Sequence, residues 1–507
     1  MQANTRLLSD SLLGIASKII DALAKFFTIP MLIAYFGKGD YGLVSLAFSL
    51  NAYLRLMDMG MNIGSIRFFS MWIVEKNWSR ITNVSRSSIV FYGAIGVINT
   101  IIFIILGAYS EYFFTIAIPQ REPFKYLMYI LAFSTVFNWT SSVVKQLLIA
   151  NDQIGWINKA NIVSSILIFG SAVVAIYAKL SLPEYFMLYI LSTMVAIPLN
   201  VYRLRDFEVS VKQLLTPGWF AVDFKIILNY SLAIFAMGFF QFSADNLRPI
   251  LLGRFASKGV EVLTEYRVIQ TITAIVIAFG GVFLQTLLPH ASKLYASKDT
   301  ARIQTTIFTG TKYISAFLGL VVFGLITCAE QLLKLYVGVE YIHLTIWLQI
   351  WLLTVYVAMH NAPVSSLVLA SGKTRFLVIS SGVACLATIP ITIFFAGSLN
   401  VGAAVLGYLA YVILAISAYY FYYTPVILKL AAAKLFFKAF LPSFLLGALS
   451  FFGVSILCNY ISIYSSLYLI VIQVLSFAAV YITLLVAFIV PISEVKTLLE
   501  KFRKKTS

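Results

Sequence analysis

The sequence predicts an all-α polytopic membrane protein, with about 14 transmembrane helices in two lobes around a central cavity. Three observations predict it. The apolar fraction is 61% against a charged fraction of 11%, and mean hydropathy is +0.92. Apolar windows of about 20 residues, the length that crosses a bilayer core, recur from end to end with short polar breaks. Ionisable residues sit deep inside a few of those windows, where they are too costly to face lipid. A soluble chain of 507 residues with this composition would expose large apolar patches, so lipid is its main solvent. Backbone groups must then be satisfied within each span. The runs are continuous and lack the alternating pattern of barrel strands, so the spans are helices.

The windows place spans near 12–36, 42–68, 87–108, 124–148, 160–178, 184–202, 224–252, 261–288, 309–329, 341–370, 375–397, 401–424, 438–458 and 464–490. The polar start, Met1 to Asp10, leads into an apolar stretch holding Lys18, Asp21 and Lys25 with no small-residue cleavage site. It reads as a first span, not a removed signal peptide. The longest polar connection sets the organisation: 1–202 is an N-terminal lobe of six spans, 203–223 a cytoplasmic linker, 224–424 a C-terminal lobe of spans seven to twelve, and 425–507 two further spans with a basic tail.

The formal charge of +17 is the next question, because a basic chain invites a nucleic-acid reading. Alternate connections, including those assigned Lys145 and Lys159, collect Lys and Arg over the other side by about three to one, as the positive-inside rule expects. Both termini are then cytoplasmic. The charge is spread over many short connections instead of one stripe, which excludes nucleic acid as a partner. The basic tail Lys501 to Lys505 is placed against anionic headgroups of membrane lipids. Cys328, Cys385 and Cys458 lie far apart in apolar segments, without metal-ligand spacing, and read as packing residues. Gly372-Lys373-Thr374 resembles the end of a phosphate-binding loop, but Leu367 stands where its first glycine belongs. No catalytic residue and no metal ligand set is expected.

Candidate functional residues are the in-span polar groups. Lys18, Asp21 and Lys25 recur at i, i+3 and i+7 and share one helical face. Asn51, Arg55, Asp58, Asn62 and Ser65 read as one polar stripe along a continuous second span. Gln241, Asp245 and Arg248 repeat the device in the seventh span, and Glu265, Arg267 and Gln270 in the eighth. Together they predict a hydrated cavity between the lobes. Lys25, Arg55, Arg248 and Arg267 are the substrate-binding cations, with Lys18, Asn51, Asn62 and Gln241 beside them. An excess of cations suits an anionic group, because a guanidinium grips phosphate oxygens bidentately. The alternative is local neutralisation: Asp21 with Lys25, Arg55 with Asp58 and Asp245 with Arg248 are each within one turn. Asp21, Asp58, Asp245 and His360 are the candidate ion-coupling residues. Pro30, Pro249 and Pro363, each inside an apolar window, are the candidate hinges.

Ile29-Pro30-Met31-Leu32-Ile33-Ala34-Tyr35-Phe36-Gly37, then Asp40-Tyr41-Gly42-Leu43, Asp58-Met59-Gly60-Met61-Asn62 and Arg67, resemble the opening of bacterial polysaccharide transporters. These are the Wzx-type O-antigen flippases of the multidrug/oligosaccharidyl-lipid/polysaccharide exporter superfamily. Ala150-Asn151-Asp152-Gln153, Asp245 with Pro249-Ile250-Leu251-Leu252-Gly253, and Leu369-Ala370-Ser371-Gly372-Lys373 extend the resemblance over essentially the whole chain. It implies an exporter-superfamily fold and, in the bacterial inner membrane, translocation of undecaprenyl-diphosphate-linked oligosaccharide by alternating access. The cargo would be an O-antigen, capsule or exopolysaccharide repeat unit, and other polysaccharide-assembly proteins are implied partners. Lys25, Arg55, Arg248 and Arg267 match the cationic cavity residues of the lipid II flippase branch by helix and depth. No cofactor is implied, and coupling to H+ or Na+ stays open. The competing readings are a drug/cation antiporter of the same superfamily, which would want a carboxylate-dominated cavity, and a multispan polysaccharide polymerase or ligase, which would want a larger outward loop than 109–123.

Overall fold

The computed structural model describes residues 2–277, 299–371, 375–459 and 466–489. The end of the expected eighth span, the Gly372–Thr374 string and the basic tail lie outside them. Among the described residues the chain is helical, with no strand. Eleven of its helices are long and apolar enough to cross a membrane. The 35-residue helix Ala221–Phe255 and the helix over 261–277 stand outside that count. Two compact units divide the chain, Met1–Arg267 with Thr392–Ala403 and Val268–Ile391 with Ala404–Ser507.

In the first unit, α1 (Gln2–Leu54) is 53 residues long. At 1.5 Å per residue that is about 80 Å, more than twice a bilayer core. The helix is broken at Gly37, with φ 83°, which divides it into two pieces of span length. A residue without a Cβ adopts this conformation at little cost. The second span is therefore not the continuous striped helix that the polar spacing predicts. Its helix ends at Leu54, passes through a 3-10 turn Arg55–Asp58, and restarts as α2 (Met61–Val74) after Met59 and Gly60, both left-handed. The stripe is accordingly split: Asn62 is exposed whereas Ser65 is fully buried. There follow α3 (Trp78–Ala108), α4 (Ser110–Phe113), α5 (Ile118–Ala150), α6 (Ile154–Tyr177), α7 (Leu182–Met194), α8 (Ala196–Arg203), α9 (Val211–Leu215) and α10 (Ala221–Phe255).

α3 lies along α5, and α1 along α6. The connection around 203–223 is folded onto this unit. Leu204, Phe207 and Leu214 are buried in one apolar cluster with Met61, Phe69, Trp72, Ile81, Tyr92 and Trp139. Its backbone is held too: Ser85 Oγ donates to Leu214 O at 2.7 Å, Arg86 Nε to Thr216 O at 3.1 Å, and Phe220 N to Ser87 Oγ at 2.8 Å. Such bonds let a polar connection be buried without orphaned groups.

The second unit begins within α11, the helix over 261–277, and continues with α12 (Thr300–Thr327), α13 (Ala329–Tyr336), α14 (Thr345–Met359), α15 (Ala362–Ser371), α16 (Arg375–Leu399) as far as Ile391, α17 (Val401–Ala418) from Ala404 on, α18 (Ala432–Leu435), α19 (Leu441–Asn459) and α20 (Ser466–Phe488). α12 is central to it: Tyr356 Oη donates to Ser315 O and Tyr481 Oη to Ala316 O, each at 3.0 Å. The expected tenth span is two helices, α14 and α15, separated at His360–Asn361 just before Pro363. Tyr419–Ile427 and Phe436–Phe440 are π-helical.

Candidate functional site

Three polar side chains of the first unit, Asp58, Tyr92 and Gln146, are bonded to one another at the 3-10 turn. Asp58, which carries the turn, is not paired with Arg55. Its Oδ1 accepts from Tyr92 Oη on α3 at 2.7 Å, and its Oδ2 from the backbone N–H of Asn62 at 3.1 Å. That second bond satisfies an orphan donor at the start of α2, where a carboxylate also meets the positive end of the helix. Tyr92 Oη in turn accepts from Gln146 Nε2 on α5 at 2.7 Å, and its ring stacks on Trp139 at 5.8 Å. A chain of two short bonds thus ties the turn through α3 to the last turns of α5. Gly60 and Gly64 bring the start of α2 against Ser231 on α10, so closely that a Cβ at Gly60 would lie 2.5 Å from Ser231 O.

Arg55 is exposed and, among the described residues, makes no hydrogen bond or ion pair. Lys145 is within its electrostatic reach. This residue corrects the sequence reading, which assigns it to a cytoplasmic connection. α5 continues to Ala150, and the chain turns only at Asn151 and Asp152, the latter at φ 54°, so Lys145 is a half-buried helical residue. Tyr189 on α7 is within electrostatic reach of Asp21, Arg267 and Arg55. Arg267 is anchored by Nε to Ser45 Oγ at 3.3 Å and Nη2 to Ser45 O at 3.4 Å, which binds α11 to α1. Ser45 Oγ donates onward to Leu263 O at 3.1 Å.

The remaining cations are engaged locally. Lys25 Nζ lies 2.7 Å from Asp21 Oδ2, with the two side chains 57% and 42% exposed, and Lys18 is exposed on the same helix. Arg248 is 3% exposed; its Nε donates to Ala244 O at 2.8 Å and its Nη2 to Asp245 at 3.2 Å, both on its own helix. Of the three neutralising pairs read from spacing, Asp21 with Lys25 and Asp245 with Arg248 are formed, and Arg55 with Asp58 is not. Gln241 is exposed and Asn51 half-buried. Pro30 and Pro249 lie inside α1 and α10, and Pro363 in the first turn of α15.

His360 belongs to the second unit. It is buried, with Nδ1 2.5 Å from Val357 O, Nε2 2.9 Å from Tyr420 Oη, and its ring stacked on Phe440 at 4.0 Å. A neutral ring satisfies both contacts: Nδ1–H donates to the carbonyl and Nε2 accepts from the tyrosine. No group of three or more His, Cys, Asp or Glu is placed to hold a metal ion among the described residues.

Tyr92, Gln146, Tyr189 and Lys145 are the members of this arrangement that sequence reasoning missed. For Lys145 a signal existed, since it falls before the end of the fourth apolar window. The others are a tyrosine or glutamine on a helix and gain their role only from tertiary contacts.

These helices define the fold of the multidrug/oligosaccharidyl-lipid/polysaccharide exporter superfamily, a multi-pass membrane fold. The chain is similar to the lipid II flippase MurJ in an inward closed conformation, with TM-score 0.73 and 13% identity over 94% of this chain and 98% of that one. It is similar to an inward-facing multidrug resistance MATE transporter, with TM-score 0.67 and 15% identity over 82% and 95%. A superfamily transporter from Pyrococcus furiosus gives TM-score 0.55 and 14% identity over 83% and 96%. No protein-family model and no curated protein matches the chain by sequence.

Proposed function

We propose that this protein is a flippase that moves undecaprenyl-diphosphate-linked oligosaccharide across the bacterial inner membrane by alternating access. The observation that carries the reading is Arg55, an unpaired guanidinium exposed at a break between membrane-spanning helical segments. A cation so placed is too costly to face acyl chains and matches a phosphate-bearing cargo. Arg267, half-buried two turns into α11, supplies the second cation of the same unit. Arg248, bonded into its own helix, has a structural role in this reading, and Asp58 serves as the cap of α2. The likeness to a lipid II flippase over nearly the whole chain supports the cargo class.

The likeness to a MATE transporter supports the drug/cation antiporter as the second reading. Such a site wants free carboxylates. Asp21, Asp58 and Asp245 are each engaged by a cation or hydrogen-bond donors, which favours the anionic cargo.

The test is export. Arg55→Gln and Arg267→Gln each remove surface polysaccharide from a strain that depends on this protein, with normal amounts of protein in the membrane. Wild-type polysaccharide in both strains refutes the proposal.

A further inference from the structure

Three spans of the second unit change geometry at one level. The tenth is broken at His360–Asn361, between α14 and α15. Pro363 has no N–H, so the carbonyl of Met359 receives no helical bond across the break. Asn361, 2% exposed, has an Oδ1 with no partner among the described residues. The twelfth span widens from α17 into the π-helical Tyr419–Ile427, where Leu428 N donates to Tyr423 O, five residues back, at 2.9 Å. The thirteenth leaves the π-helical Phe436–Phe440 and tightens into α19 at Leu441. Turns of this kind are rare and gather where function needs them. The three interruptions are neighbours, because the one ring of His360 meets Tyr420 Oη at 2.9 Å and stacks on Phe440 at 4.0 Å. A fourth helix, α12, places Gly310 at the same level, where a Cβ would lie 3.5 Å from Pro363 Cγ.

Each side of this level has its own core. On one side, Val364 and Leu367 of α15 are buried with Tyr423 and Leu435 against Ile303 and Ile307 of α12, and Ser365 Oγ lies 3.3 Å from Tyr419 Oη. On the other, Tyr356 stacks on Phe444 with ring centres 6.2 Å apart, and Phe323 packs edge-on against both. His360 is the polar link between them, with Nδ1 on Val357 of α14 and Nε2 on Tyr420. Close-packed cores move as bodies, so displacement concentrates where backbone bonds are missing.

We infer that these interruptions form one hinge line across the second unit. α15 and the segment 419–440, with α12 up to Gly310, swing about it as a body during transport, and His360 is the pin by which α14 holds that body. The hinge is independent of the cargo and serves any substrate moved by alternating access. A break that only accommodates packing differs from a hinge in its response to Pro363→Ala. That change restores the missing N–H, so the two halves gain a bond and stiffen into one helix. A packing break then leaves transport alone, whereas a hinge loses it in a protein no less stable.

The experiment uses the full chain purified in detergent, together with the strain whose surface polysaccharide depends on it. Amide hydrogen exchange is followed over 358–366, 420–428 and 436–444, with 314–323 of α12 as the reference. Tyr420→Phe is expected to speed exchange about fivefold at all three interruptions, the worth of one hydrogen bond, and not at the reference. Pro363→Ala should slow exchange over 358–366 and remove most export at an unchanged or higher thermal midpoint. A Tyr420→Phe effect confined to 358–366, or equal at the reference, overturns the hinge line. So does a Pro363→Ala protein that exports like wild type, that melts several degrees lower, or whose exchange over 358–366 is not slowed. If surface polysaccharide does not depend on the protein at all, the flippase reading falls, and the exchange results alone decide the hinge.

Discussion

Tyr92→Phe removes a single oxygen, and the structure makes its consequence calculable. The hydroxyl is buried, donates to Asp58 Oδ1 at 2.7 Å, and accepts from Gln146 Nε2 at 2.7 Å. Losing the first bond costs about 1.5–3 kcal/mol, because the acceptor is a carboxylate. Losing the second strands the amide of Gln146, which is 0% exposed and whose Oε1 already lacks a partner among the described residues. A stranded buried donor costs about 1–3 kcal/mol more, although part of each figure is recovered as the site relaxes. A net loss of about 2–4 kcal/mol is the working estimate, read as a thermal midpoint several degrees lower for the purified protein. The ring keeps its stack on Trp139, so packing is not the cause. A double-mutant cycle isolates the bond. Gln146→Leu removes the stranded amide, so the double variant should be less damaged than the sum of the singles by about 1–2 kcal/mol. A Tyr92→Phe protein within about 0.5 kcal/mol of wild type, or strict additivity with Gln146→Leu, refutes the claim that this chain holds the 3-10 turn.

Two further outcomes follow from the same geometry. Gly60→Ala puts a Cβ 2.5 Å from Ser231 O at a residue with φ 73°, and should lower stability by about 2 kcal/mol or more in thermal unfolding, whereas Gly93→Ala, with open space around its Cβ, should not. His360→Leu strands the Tyr420 hydroxyl and should cost about 1–3 kcal/mol in the same assay, while the pH profile of export keeps its shape, since the ring is fully engaged as a neutral group.

The sequence carries the helical fold because the bilayer enforces it: apolar windows of span length and internally satisfied backbone leave one solution. The local pairs Asp21 with Lys25 and Asp245 with Arg248 are equally legible, since partners three or four residues apart on a helix must meet. The break in the second span is not. Asn51, Arg55, Asp58, Asn62 and Ser65 fit helical spacing throughout, and only Gly60 hints at an interruption. What ends the helix is Asp58 being drawn to Tyr92, 34 residues on, and through it to Gln146, 54 further. Long-range bonds of this kind override local spacing and leave no trace in it. Lys145 was legible: it lies inside the fourth apolar window, 124–148, with Leu147, Leu148, Ile149 and Ala150 after it, and only the count of basic connections assigns it to a loop, whereas α5 runs on to Ala150.

The most direct measurement is transbilayer movement itself. The full chain is reconstituted into vesicles holding an undecaprenyl-diphosphate-linked saccharide, and the fraction reachable by an added glycosidase is followed over time. Rapid exposure of the inner-leaflet pool is expected with wild type, and none above protein-free vesicles with the Arg55→Gln/Arg267→Gln pair. Equal rates for wild type and the pair, or no acceleration by wild type, contradict it.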